Sequence, residues 1–205
     1  MPPFAGLVAQ MGIDRISFHA EADRVRDEVG TQVIVLNGSS SSGKTTIARC
    51  LKAILPTPWI SLSIDDLLRA LPPSLMDSDA GITFGKHGEI TIGEGFREIT
   101  SGWLAGFAGM ARAGTRIIYD DVFLSGAESQ ARLQKHLVDV SVLWVGVHCD
   151  AKVAAAREVA RGDRVVGGAA AQSSKVHEGV TYDLEVDTTS TESMECACNI
   201  AGRVS

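Results

Sequence analysis

The sequence predicts a doubly wound α/β domain built on a mostly parallel sheet. Three observations carry this. An apolar β-branched run, Val33 to Leu36, leads directly into a glycine- and serine-rich turn and then a helical stretch. Four further strand-like runs alternate with helix-like segments along the rest of the chain. One of these, Val140 to His148, is almost wholly apolar, as a strand covered on both faces must be.

The composition fits one such domain. Of 205 residues, 45% are hydrophobic and 21% charged, enough apolar material for a single sizeable core. A net charge of −6 without any basic block argues against nucleic acid or an anionic membrane as a partner. No apolar run is long enough to span a bilayer, and no basic segment followed by an apolar one marks a secretory signal. Cys50, Cys149, Cys196 and Cys198 contain no C-x-x-C pair, which suits reduced thiols in a cytoplasmic protein.

In chain order, residues 1–30 read as a peripheral N-terminal arm and residues 31–205 as a single domain. After the first strand and turn, Ile47 to Leu55 is helical, and Pro56 and Pro58 stop it. Trp59 to Ile64 is a second strand. A short helix follows Asp65-Asp66 and ends before Pro72-Pro73. The segment ITF-GKHG-EITI forms a small hairpin. Ile92, Phe96, Ile99, Trp103, Phe107 and Met110 recur every three or four residues, so a long helix should bury that stripe. Thr115 to Tyr119 is a third strand, with Asp120 the first residue past it, and Ser125 to Leu137 is helical. Asp150 caps a helix running to about Gly162, and a Gly/Ala/Ser-rich segment reaches His177. Tyr182 to Val186 is the fifth strand, and Thr188 to Ser190 caps a last helix.

The chemistry concentrates at the carboxyl ends of the strands, where ligands bind in such sheets. Gly38, Ser39, Ser40, Ser41, Ser42, Gly43, Lys44 and Thr45 fit G-x-x-x-x-G-K-[ST], and Thr46 opens the helix beyond. Small residues let backbone N–H groups wrap phosphate oxygens, and the helix adds the positive end of its dipole. Lys44 can reach the terminal phosphates, and Thr45 can ligate Mg²⁺. Asp120, after the third strand, is the favoured second metal-side group, which leaves Asp121 to face an acceptor or to be structural. Asp65 can take a proton from an acceptor hydroxyl. Asp66 can do so instead, or cap the helix. Arg157 and Arg161 share a helix face, and Arg164 follows. Their guanidinium forks suit the charge that spreads over a transferring phosphoryl group. His87 and His177 show no metal-ligand spacing and read as surface or capping residues.

From about Gln32 to Val204 the chain resembles the chloramphenicol phosphotransferase-like P-loop kinases. The resemblance rests on VIVLNGSSSSGKTTIARCL, LPTPWISLSIDDLL, MARAGTRIIYDDVFL, VLWVGVHCD, REVARGDRVVG and VHEGVTYDLEVDTTSTES, in that order. It implies a three-layer P-loop nucleotide kinase-like fold with a central, mostly parallel five-stranded sheet. It also implies ATP and Mg²⁺ as cofactors and transfer of a phosphoryl group to an alcohol of a small, chloramphenicol-like acceptor. Asp65 would be the base. Arg157 would bind nucleotide, and Arg161 and Arg164 would act in catalysis on a lid spanning about 157–177. Neither nucleic acid nor membrane is implied, and a homo-oligomer is left open. The segment Met76 to Ile92 matches only loosely, so a kinase with another hydroxyl acceptor, or a nucleotide-binding protein without transfer, remains the alternative.

Overall fold

The computed structural model describes residues 30–85, 89–161 and 175–205, without the side chain of Arg161. Residues 31–204 fall in one compact unit. Its centre is β1 (Val33–Asn37), with all five residues buried. β1 lies between β5 (Ile117–Asp121) and β6 (Val142–His148), with β2 (Ile60–Ser63) and β7 (Leu184–Asp187) at the edges. The order is β2-β5-β1-β6-β7 and all four pairings are parallel. A strand hydrogen-bonded on both sides and covered on both faces has no place for a polar side chain, so β1 is apolar until Asn37.

Alternation along the strands separates two cores. Ile34 and Leu36 join Ile118 and Val145 in a cluster with Ile47 and Leu51 of α1 (Lys44–Ile54) and Ile200 of α6 (Ser193–Ala201). Val33 and Val35 join Ile117 and Tyr119 against Phe107 of α3 (Glu94–Arg112) and Leu133 of α4 (Ala127–His136). Between β2 and α3 lie α2 (Ile64–Ala70), a 3₁₀ turn at Pro73–Leu75, and an antiparallel hairpin of β3 (Ile82–Phe84) and β4 (Ile90–Ile92). Leu67 of α2, Ile82 of β3 and Phe96 of α3 form a third, smaller cluster there. α5 (Ala151–Arg161) follows β6, with Asp150 Oδ1 accepting from Lys152 N at 2.8 Å, as expected of its cap. Cys50, Cys149, Cys196 and Cys198 form no disulfide. Among the described residues, no helix is long and apolar enough to cross a membrane.

Three sequence expectations change. β5 continues through Asp121, because its pairing with β1 persists as Leu36↔Asp120 and Asn37↔Asp121. The apolar run stops at Tyr119, but the hydrogen bonding does not. On α3, Ile99 and Met110 are exposed, and Ile92 belongs to β4. The buried face is Phe96, Leu104, Phe107, Ala108 and Ala111. The alanines bring the helix close to the sheet, and two of the larger side chains point to solvent. The last helix begins after Glu192, because the Thr188 hydroxyl is turned inward to Ser42 O at 2.7 Å instead of capping.

Candidate active site

The turn after β1 is a closed cradle. Ser39, Ser40, Ser41 and Ser42 are all buried. Ser41 and Gly43 take positive φ, 58° and 94°, which turns the chain tightly enough for α1 to begin at Lys44. A Cβ on Gly38 would lie 2.4 Å from the backbone oxygen of Val147 in β6, so only glycine fits there. Gly38→Ala must push β1 or β6 aside, and we expect it to cost about 1–3 kcal/mol, read as a lower denaturation midpoint. An unchanged midpoint would contradict this packing.

Lys44 is buried, and its Nζ donates to Gly38 O and Ser39 O at 2.8 Å each, 3.8 Å from Asp120 Oδ1. Thr45 Oγ1 donates to Asp120 Oδ2 at 2.8 Å. Among the described residues the buried hydroxyls of Ser41 and Ser42 have no hydrogen-bond partner. A ring of small residues with orphaned donors, one buried ammonium and a helix N-terminus fits a chain of phosphates. Thr45 and Asp120 fit Mg²⁺, a hard cation that prefers oxygen. Among the described residues no group of three or more His, Cys, Asp or Glu could hold a metal. A Mg²⁺ here would therefore share its shell with phosphate and water. The cavity over the cradle, about 420 Å³, is also lined by Ser63, Asp65, Asp120, Arg157 and Ser193.

The four acids separate by position. Successive strand residues face opposite sides of the sheet, so Asp120 meets Thr45 and lines the phosphate cavity while Asp121 lines a second cavity behind it. Burial, with the neighbouring Asp120 charge adding to it, pushes the Asp121 carboxyl up to about 6, against the hydrogen bond from Val122 N. Asp66 is the N3 residue of a capping box. Its Oδ2 accepts from Ser63 N at 2.7 Å and Ser63 Oγ at 2.6 Å, while Ser63 Oγ accepts from Asp66 N at 3.2 Å. Its Oδ1 pairs with Arg69. Burial raises this carboxyl, but the bonds from Ser63 and Arg69 together hold it below the usual range. Both carboxylate oxygens of Asp66 are thus engaged at the start of α2. Asp65, one residue earlier in the first turn, lines both cavities.

The second cavity, about 520 Å³, has an apolar floor that includes Leu68, Ile82, Phe84, Ile92, Phe96 and Leu104. Its polar groups include Asp65, Tyr119, Asp121 and Glu158. The hairpin and α2 thus supply the wall that the sequence between Met76 and Ile92 left least legible.

On the other flank, Arg157 of α5 donates to Thr188 O at 2.8 Å and Thr188 Oγ1 at 3.2 Å. Thr188 Oγ1 in turn donates to Ser42 O at 2.7 Å, with His148 O 3.1 Å away as the alternative acceptor. The helix carrying Arg157 is thereby tied to the phosphate cradle through one hydroxyl. The side chain of Arg161, and all of Arg164, lie outside the described residues, as does His87.

Sequence reasoning missed Asn37. Its Nδ2 donates to Val176 O at 2.7 Å and Tyr182 Oη at 2.5 Å, and its Oδ1 accepts from Phe123 N at 2.9 Å. It fastens the chain after β5 and the segment before β7 to the root of the cradle. A polar residue closing an apolar strand run was the available signal. His177 belongs to the same network rather than to the surface. Its Nδ1 is 2.7 Å from Tyr182 Oη, and its ring stacks on His148 at 4.0 Å. Burial, then the charge of His148, lowers His177 from 6.5 to about 4. A lowered folded pKa means that the unfolded chain binds the extra proton first. The contribution of neutral His177 to stability is therefore complete above pH 6.5 and lost as pH falls toward about 4. Denaturation midpoints should drop across that window, and His177→Gln should flatten the drop. An equal drop in both proteins would remove His177 as its source.

The sequence pattern of the family described as chloramphenicol phosphotransferase-like protein matches residues 31–205. The chain belongs to this family. A Mycobacterium tuberculosis protein with a provisional name as an O-phosphotransferase is 29% identical to it over 185 residues, covering 81% of this chain and 79% of that one. The fold is that of P-loop kinases. The M. tuberculosis APS kinase, solved with AMPPNP and APS, superposes with TM-score 0.54 at 14% identity, covering 84% of this chain and 96% of that chain. The Acinetobacter baumannii shikimate kinase, solved with shikimate, gives 0.54 at 14%, covering 86% and 94%. Family and fold together support a kinase-type phosphotransferase.

Proposed function

We propose that this protein is an ATP-dependent O-phosphotransferase that moves the γ-phosphoryl group of ATP to a hydroxyl of a small molecule, with chloramphenicol or a related hydroxylated compound as acceptor. The observation that carries this reading is the place of Asp65. It stands where a cradle suited to phosphates opens into a separate, mostly apolar cavity large enough for a small organic molecule. A protein that only binds or hydrolyses nucleotide has no use for the second cavity.

In this reading the cradle amides and Lys44 hold the phosphates. Thr45 and Asp120 hold Mg²⁺, which when bound offsets charge on the phosphate oxygens. The apolar wall excludes water and orients the acceptor. Asp65 accepts the proton of the acceptor hydroxyl as its oxygen bonds to the γ-phosphorus and the bond to the β-phosphate bridging oxygen breaks. Arg157 fixes the flank of the cradle, and Arg161 and Arg164 supply positive charge to the transferring group.

The test is a panel of hydroxylated antibiotics and metabolites incubated with the full chain, ATP and Mg²⁺, read by mass spectrometry. The expected result is a gain of one phosphoryl group on a member that carries an accessible hydroxyl, chloramphenicol among them. Turnover of ATP to inorganic phosphate with every panel member unmodified would overturn the reading in favour of a hydrolase.

A further inference from the structure

The polar wall of the second cavity holds a buried hydroxyl with spare hydrogen-bonding capacity. Tyr119 is wholly buried, and among the described residues its hydroxyl makes no well-formed hydrogen bond; the Trp103 indole N–H beside it is likewise without one. Its ring is stacked on Phe107 with centroids 4.8 Å apart, so the phenol cannot swing to find one. A buried hydroxyl left without a partner is a standing cost in a folded protein and calls for a reason. Here the residue lines the acceptor cavity.

Asp121 is its neighbour on the same face of β5. Its Oδ1 accepts from Val122 N at 2.7 Å. Among the described residues its Oδ2 makes no hydrogen bond. The two arginines at this cavity are engaged at its rim, Arg69 with Asp66 and Arg132 with Ser129 Oγ at 2.9 Å. Beside them the lining holds Ser40, Thr100, Ser125 and the buried Glu158, and the remainder is aliphatic or aromatic. Asp65, the proposed base, lies at the boundary with the phosphate cradle, so the hydroxyl to be phosphorylated belongs at that end.

We propose that Tyr119, together with Asp121, determines acceptor specificity by receiving a second hydrogen-bond donor, a hydroxyl or N–H, on an acceptor whose remaining body is apolar. The inference rests on the phosphotransferase reading and narrows it. The acceptors are amphiphilic diols or amino alcohols, and simple alcohols of the same shape are poor ligands. A carboxylate can only accept, and a phenol can do either, so a donor on the ligand is the group that satisfies both. A site built to hydrogen-bond a polar group rejects the analogue that lacks it, because its own buried groups then stay unpaired.

The experiment uses two probes that differ by one hydroxyl, phenethyl alcohol and styrene glycol. Binding to the full chain is measured by calorimetry or ligand-observed NMR with AMPPNP and Mg²⁺ present, and transfer is measured with ATP on the same preparations. The wild type should bind the glycol about tenfold or more tightly than the alcohol. In Tyr119→Phe the preference should shrink to within about threefold. The denaturation midpoint should fall little, because the lost hydroxyl made only a poorly formed contact with the Trp103 indole. Asp121→Asn, which leaves the phenol in place, should weaken the preference in part. Equal binding of the two probes by the wild type, an undiminished preference in Tyr119→Phe, or no binding of either probe would overturn the proposal. A preserved glycol preference without transfer counts against the phosphotransferase reading alone. Transfer without a preference counts against the role of Tyr119 alone.

Discussion

In Asp65→Asn, acceptor phosphorylation should fall by about 10²- to 10⁴-fold, the range for removing a general base, while ATP binding is retained. The structure sharpens this expectation. The capping box of α2 is made by Ser63 and Asp66, not Asp65, so the substitution leaves the helix start intact. The phosphate cradle is untouched as well. Asparagine keeps the shape of aspartate but loses its negative charge and with it the ability to take the proton. Measuring ATP affinity and transfer in one preparation separates the outcomes. Transfer within about threefold of wild type would be too small a loss for a base and would remove Asp65 from the chemistry.

Lys44→Ala should lower transfer by at least about 10²-fold, as when a positioned charge is removed from the transition state. It should also destabilise the resting protein. The ammonium is buried and donates to the carbonyls of Gly38 and Ser39, so its loss takes that donor from Gly38 O and leaves Ser39 O with the longer bond from Ser42 N at 3.3 Å. Leaving a buried acceptor unpaired costs about 1–3 kcal/mol. Activity is therefore to be read below the variant's own denaturation midpoint, with folding verified by circular dichroism. Near-normal turnover in a folded Lys44→Ala protein would sink the assignment of the cradle.

The cradle was the most legible feature in the sequence, because its function depends on local backbone geometry that Gly38, Gly43, Lys44 and Thr45 specify by themselves. The parallel sheet was legible for a similar reason, since a central strand such as Val142–His148 must be apolar throughout. What depended on pairing or packing was not. The extension of β5 to Asp121 is fixed by β1, not by hydrophobicity. That extension puts Asp120 on the Thr45 side and Asp121 on the side of the second cavity, a separation the sequence alone could only favour. The buried face of α3 is set by Ala108 and Ala111, small residues that leave no strong periodic signal. Asn37, Tyr119, Glu158 and Thr188 acquire their places only when distant segments meet. Thr188 read as a helix cap because threonine at a turn usually is one. In the fold, the carbonyl oxygen of Ser42 reaches its hydroxyl first.

The measurement that tests the central claim most directly follows the γ-phosphoryl group itself. ATP labelled at that phosphate is turned over by the full chain with Mg²⁺ and the acceptor panel, and the label is partitioned between organic phosphate esters and inorganic phosphate. Transfer across the junction at Asp65 predicts that most of the label appears in an ester of a hydroxylated acceptor, and that this fraction collapses in Asp65→Asn while ATP stays bound. Label released only as inorganic phosphate, with or without acceptor, would contradict it.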